Sequence, residues 1–423
     1  MARVKKNLKM GEFFEHFFQV KSRKEVEDVI TSSLRSLDTE EVPLDFLLGR
    51  VVGKTVIAPE PLPPFSRSTV DGFAVISEDT FGASEGFPAL LKVVGSVSMG
   101  ALPSFRIQRG EACDIPTGGA LPEGADAVVM VEHTESPDPS LVEVFRPVSP
   151  LENVVRAGED VDKGSVVLTR GQRIRPQELG LLSALGIKEV TVVKIPRVGI
   201  VSTGNEIVDP SESPRPGQIR DINRFTLKGL VERSGAQAVF VGLVPDEEAA
   251  LREACQKGLE ACDLLLLSGG SSVGTRDLTL KVLETFEDFE LLVHGVAVSP
   301  GKPTIIARVG EKMIFGLPGH PVSTWIIAYL FVSRAIQALT GAYENPSVRW
   351  DQAIVDQNVP SAQGREDFVR AKVQGRGRAK TVTPVFSKSS VISSLVEANA
   401  LIRVPLESEG VYKGEEVDIL MLL

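Results

Sequence analysis

Between residue 196 and about residue 340 the chain alternates short apolar runs with helical patterns, and no other feature constrains its fold as strongly. RVGIVSTGNE (197–206) reads as a strand entering a turn, and 223–233 as a helix closed by Ser234-Gly235. QAVFVGLV (237–244) reads as a strand. DEEAALREACQKGLEA (246–261) reads as a helix whose first turn is acidic, as the helix dipole favours. DLLLLSGG (263–270) has the unbroken apolar run of a strand buried on both faces, and DLTLKVLETF (277–286) the pattern of another helix. LLVHGVAVS, TIIARV and KMIFGLPG follow as strands, then a long apolar helix over 320–339. This alternation predicts a doubly wound parallel sheet with helices on both sides.

The flanking regions differ. From about 50 to 150, short apolar runs lie between Gly and Pro clusters, predicting a β-rich module. Residues 345–423 return to short alternating segments that suit a small β-barrel. With 423 residues, several domains are expected. They divide as 1–56 (N-terminal helices and the start of a linker domain), 57–164 (a β-rich cleft domain), 165–195 (the linker's return), 196–344 (the α/β domain) and 345–423 (the barrel).

Composition excludes some functions. Lys plus Arg number 46 against 56 Asp plus Glu, a net charge of −10 that disfavours long nucleic acid. A small anion can still bind where local donors converge. Cys113, Cys255 and Cys262 form neither a C-x-x-C pair nor an even framework. The basic N-terminus runs into Glu12, Glu15 and His16, unlike a signal peptide, and no uninterrupted 18-residue apolar stretch predicts a membrane span. A reducing cytoplasm fits these features. The Phe-rich segment with Phe13, Phe14, Phe17 and Phe18 reads as packing at an edge.

In open α/β sheets ligands bind beyond the carboxyl ends of the strands, and here those ends are heavily marked. They carry Ser202-Thr203-Gly204-Asn205-Glu206, then Ser268-Gly269-Gly270-Ser271-Ser272-Val273-Gly274 with Asp277, then Ser299-Pro300-Gly301-Lys302-Pro303, and Gly316–Ser323 opening the long helix. Glycines let backbone N–H groups approach an oxyanion, and a helix N-terminus adds partial positive charge. Lys302 adds a full charge. Glu206, Asp277 and Asp246 offer hard oxygens suited to Mg²⁺ beside a phosphate. Each loop alone is also what a tight βα turn requires. None matches the phosphate-binding Walker or dinucleotide motifs, so ordinary ATP or NAD sites are not indicated.

Together with STVDGFA (68–74), IPTGGALPEGADAVVMVE (115–132), AGED (157–160), RDINR (220–224) and GLPGHPVS (316–323), these loops resemble the MoeA family of molybdopterin molybdenumtransferases, in the family's order and over most of the chain. The resemblance implies an elongated four-part chain and a homodimer whose cleft lies between the α/β domain of one subunit and the β-rich domain of the other. It implies molybdopterin-adenylate as substrate, its dithiolene receiving molybdate as AMP leaves with Mg²⁺. A molybdopterin adenylyltransferase becomes a candidate partner. Asp71, Thr117, Asp160, Glu206 and Lys302 take catalytic roles in this comparison. Ser268, Gly269, Gly270, Ser271, Ser272, Gly274, Asp246, Ser299, Gly301, Pro303, Gly319, Arg370, Ser389 and Ser390 take substrate-binding ones. Glu206 and Asp277 are the implied metal ligands.

Several positions depart from the family's pattern. Ser299 stands where the family has the first Lys of K-P-G-K-P, Val155 where it has Arg, Asn205 where it has Asp, and His320 where it has Asn. A pterin carrier or scaffold without turnover, or one directed to tungstate, is the alternative these departures raise. A nucleotide-processing enzyme built on the same α/β domain is a third reading, disfavoured by the match outside that domain.

Overall fold

The computed structural model describes residues 20–269, 273–344, 348–375, 377 and 380–422, with the backbone alone at 273–277. Gly270, Ser271, Ser272, the side chain of Asp277 and the Phe-rich segment lie outside the described residues.

The α/β domain is built from β1 (Arg197–Thr203), α1 (Asn223–Arg233), β2 (Gln237–Val244), α2 (Glu248–Ala261), β3 (Leu264–Gly269), α3 (Val273–Leu283), β4 (Phe289–His294), β5 (Ile305–Val309), β6 (Lys312–Leu317) and α4 (Pro321–Thr340). Its sheet runs in the order β2-β1-β3-β6-β5-β4. The first four strands are parallel; β5 pairs antiparallel with both β6 and β4. The all-parallel expectation is thereby corrected at one edge. The turn at Gly310 (φ +60°) is too short for a parallel crossover, so it closes a hairpin.

The apolar run of β3 is divided between two faces. Leu264 and Leu266 pack with Ile200, Phe315 and α4, while Leu265 and Leu267 pack with α2 and Ile314. A strand covered on both sides has no polar face, which is why its sequence shows no alternation. Helix α4 is long and apolar enough to cross a membrane by composition, but 83% of its apolar window is buried in the core. Its middle, Ala328–Val332, is a π turn.

Helix Arg23–Ser33 starts with a capping box, Ser22 with Glu25, and packs Val26 and Ile30 into the α4 core. The linker is discontinuous. Thr39–Pro43 pairs with Glu189–Val193, and Val56–Ile57 with Val166–Leu168. Between those halves sits the β-rich domain, a six-stranded mixed sheet with cores of its own.

The C-terminal strands close on themselves. Glu366–Gln374 pairs with both Thr381–Pro384 and Ala400–Val404, completing a barrel with Arg349–Val355 and Glu416–Met421. Phe368, Leu401 and Leu420 extend from the barrel into the α4 core. Glu366 links three parts of the chain, accepting from Arg23 Nε and Arg403 Nε at 2.8 Å each.

Candidate active site

At the carboxyl end of the parallel strands, β1 and β3 finish side by side, with Thr203 opposite Gly269. Gly269 takes φ +150°, and a Cβ there would lie 2.0 Å from the Thr203 carbonyl oxygen. Only glycine lets the two strand ends close up this way. They open into a cavity of about 640 Å³ lined by Ser202, Thr203, Glu206, Asp221, Asn223, Ser268, Gly269, Gly319, His320 and Ser390.

Four buried polar atoms on that wall have no partner among the described residues: Ser202 Oγ, Ser268 Oγ, Asp221 Oδ2 and Asn223 Oδ1. Their other groups are engaged. Asp221 Oδ1 accepts from the Arg224 N–H at 3.0 Å, and Asn223 Nδ2 donates to the Gly319 carbonyl at 3.0 Å. Leaving one buried polar atom unpaired costs about 1–3 kcal/mol, so four along one wall indicate a polar ligand that completes them.

A second cavity of about 640 Å³ lies next to the first, across Pro318–His320. Ser299, Gly301, Lys302, Pro303, His320, Ser323, Arg365 and Ser389 line it, with no carboxylate among its lining residues. Lys302 has no acidic partner among the described residues, and Arg365 lies 3.1 Å from Asp367. The cavity is therefore electropositive and suits a small oxyanion. Helix α4 begins at the shared wall, adding its N-terminal N–H groups.

The barrel shapes this wall. The Ser389 carbonyl accepts the Val322 N–H at 3.1 Å, satisfying one of the orphan donors that open α4. Arg370, expected to meet the oxyanion, is instead buried. Its Nη1 donates to the Lys388 carbonyl and Ser394 Oγ, and its Nη2 to the Ser387 carbonyl. It lines neither cavity and holds the loop that carries Ser389 and Ser390. Burial alone pulls its pKa down.

Other expected residues lie further out. Asp246 accepts from Thr203 Oγ1, standing behind the wall rather than on it. Gly274 is on the first turn of α3. Asp71 and Thr117 come together on the β-rich domain, beside a separate cavity of about 730 Å³ that Asp71 lines. Asp71 Oδ1 accepts the Thr117 N–H at 2.7 Å and its hydroxyl at 3.0 Å, which holds the exposed Asp71 carboxyl below the usual range. Asp160 sits in an exposed turn, its N–H donating to the Leu62 carbonyl at 3.0 Å. Neither Asp71, Thr117 nor Asp160 borders the paired cavities of the same chain.

Asp221, Asn223 and Arg365 carry no site signal in the sequence. The first two stand in RDINR, where a polar pair ahead of a helix looks like capping. Arg365 lies in a polar loop with no distinguishing pattern. Among the described residues no three His, Cys, Asp or Glu gather as a metal cage. The donors that fit a cation here are two carboxylates on one wall, Glu206 and the half-satisfied Asp221. That suits Mg²⁺, which takes one or two carboxylates and completes its shell with ligand phosphates and water.

Fold and site together define a multi-domain α/β protein whose strand ends open into two adjacent polar cavities. Models of the MoeA N-terminal region (domains I and II) match residues 21–186, the "Probable molybdopterin binding domain" 199–338, and the MoeA C-terminal region (domain IV) 352–422. A Methanocaldococcus jannaschii protein, provisionally named for molybdopterin biosynthesis, is 38% identical over 90% of this chain and 92% of its own. The molybdopterin molybdenumtransferase of Bacillus subtilis is 34% identical over 91% and 90%. The crystal structure of a molybdopterin biosynthesis MoeA protein from Pyrococcus horikoshii is 36% identical, with a TM-score of 0.82 over 96% of this chain and all of that one. The chain belongs to the MoeA family and is a transferase of molybdenum cofactor biosynthesis.

Proposed function

We propose that the enzyme places molybdate on molybdopterin-adenylate and releases AMP. The observation that carries this reading is the pairing of cavities across Pro318–His320: one cationic, one lined by unpartnered polar atoms and carboxylates. The adenylylated pterin would occupy the second. Ser202, Ser268, Asp221 and Asn223 orient it by the hydrogen bonds they lack. Lys302 and Arg365 draw the tetrahedral dianion into the first cavity, with Ser299, Ser323 and Ser389 as neutral donors.

Glu206 and Asp221, with Asp277 nearby in the chain, would hold Mg²⁺, which when bound would neutralise the diphosphate link and the phosphate of the leaving AMP. No side chain acts as nucleophile; the dithiolene sulfurs attack, and the protein contributes placement and electrostatics. Asp71, Thr117 and Asp160 enter the cleft from the β-rich domain of a second subunit in a homodimer. Three buried free cysteines suit a reducing cytoplasm. An adenylyltransferase would be the supplier of the substrate.

AMP release from molybdopterin-adenylate and Mg²⁺, with molybdate, with tungstate or with neither, tests the reading. Molybdate-dependent release that Lys302→Ala reduces about tenfold or more at low molybdate is expected, since one charge-assisted contact is worth about 1.5–3 kcal/mol. Tight pterin binding without release under either oxyanion would overturn it in favour of a carrier.

A further inference from the structure

His320 is the residue that lines both cavities. Its backbone is fixed. The Thr324 N–H donates to the His320 carbonyl at 2.9 Å, and the Thr324 hydroxyl donates to the carbonyls of both His320 and Pro318. It occupies the N-cap position of α4, yet its side chain makes no capping bond. The imidazole turns instead to the barrel, with Nδ1 3.2 Å from Ser389 Oγ. With the ring proton on Nδ1 and donated to Ser389 Oγ, Nε2 is left as the proton acceptor. Nε2 has no partner among the described residues. The side chain is held by one contact at Nδ1, keeps Nε2 open among the described residues and stands where the two cavities meet.

The chemistry of the proposed reaction asks for such a group. A dithiol and a tetraoxo dianion, R(SH)₂ + MoO₄²⁻, give R(S₂)MoO₃²⁻ + H₂O. Two metal–sulfur bonds form and one metal–oxygen bond breaks. The metal keeps its oxidation state. The departing oxygen takes up both thiol protons and leaves as water. Lys302 and Arg365 anchor the anion by charge.

Building on the transferase reading above, we propose that His320 is the proton relay of this enzyme. Nε2 takes a proton from one thiol, and the imidazolium so formed hands it to the oxygen that departs from molybdate; the second thiol proton follows by the same route and water leaves. Ser389 keeps the ring aimed at the shared wall.

Single-turnover AMP release and molybdenum insertion, measured in the full-length enzyme alongside separate binding titrations of molybdopterin-adenylate and molybdate, test this. His320→Asn is expected to bind both ligands within about threefold of wild type while insertion slows at least 10²-fold, the usual scale of a lost proton-transfer group. Added imidazole is expected to return part of the rate to His320→Ala. Ser389→Ala, which leaves the ring in place but unanchored, is expected to slow the same step about tenfold. Full insertion rate in His320→Asn overturns the relay. So does a loss confined to molybdate affinity, which would make His320 an anion anchor. Adenylate binding by each variant reports that its site has folded. An inactive wild type would instead sink the transferase reading, a separate outcome.

Discussion

Asp71 shows how a single hydrogen-bonding neighbour sets a charge. The Thr117 N–H is the larger cause of its lowered pKa and the Thr117 hydroxyl the smaller. The carboxylate form is favoured, so whatever this pair contributes is present above the ordinary carboxylate range and is lost as pH falls through the lowered value. Thr117→Val removes only the smaller cause. The Asp71 titration, followed by NMR of its carboxyl carbon, should move up part of the way toward the ordinary value; an unmoved midpoint would refute the attribution. Asn223→Ala should weaken molybdopterin-adenylate binding about tenfold, the effect of one lost hydrogen bond of about 1.4 kcal/mol, in an equilibrium titration. Residues of this kind were unevenly legible. Lys302 stands out because a lone Lys in a Gly-Pro turn has little structural use. Arg365 and Asn223 do not, because exposed loop arginines and polar residues ahead of helices are common. Arg370 misled for a physical reason. Its place in the family's pattern implied an anion ligand, whereas here the carbonyls of residues 387 and 388 and Ser394 Oγ take its Nη donors, and Nε has no partner among the described residues.

Among elements, β3 and α4 were the most readable, since each is apolar along its length and nothing but a doubly covered core accommodates that. Strand direction at the sheet edge was not readable, because a run of apolar residues is the same for parallel and antiparallel pairing and only the short turn at Gly310 decides it. The barrel closed as its alternating segments suggested. What no local pattern carries is the tie between elements made by Glu366. Its side chain is 7% exposed between Arg23 and Arg403. Glu366→Gln leaves the two partly buried guanidinium groups with only Glu27 and Asp418 as counter-charges and should cost about 1–3 kcal/mol in urea unfolding. A loss below about 0.5 kcal/mol would show that the triad does not hold the first helix to the barrel.

For the whole molecule, the separation of Asp71 and Thr117 from the paired cavities has a direct test. If the β-rich domain serves its partner's site, Asp71→Ala and Lys302→Ala chains are each impaired about tenfold or more alone at low molybdate. Mixed after unfolding and refolding together, half of the dimers would be hybrids with one intact site of two, restoring about a quarter of wild-type AMP release. No recovery from a mixture shown to contain hybrids would place each site within one chain.

Helix Arg23–Ser33 buries Val26 and Ile30 against a core whose main element, α4, is encoded about 300 residues later. On a ribosome adding 5–20 residues per second, that apolar stripe emerges roughly 15–60 s before the surface it belongs to exists. The linker's second half and the whole β-rich domain are made in the interval. That helix thus waits as an unpaired adhesive segment, and a chaperone that shelters it through the interval would raise the yield of native enzyme.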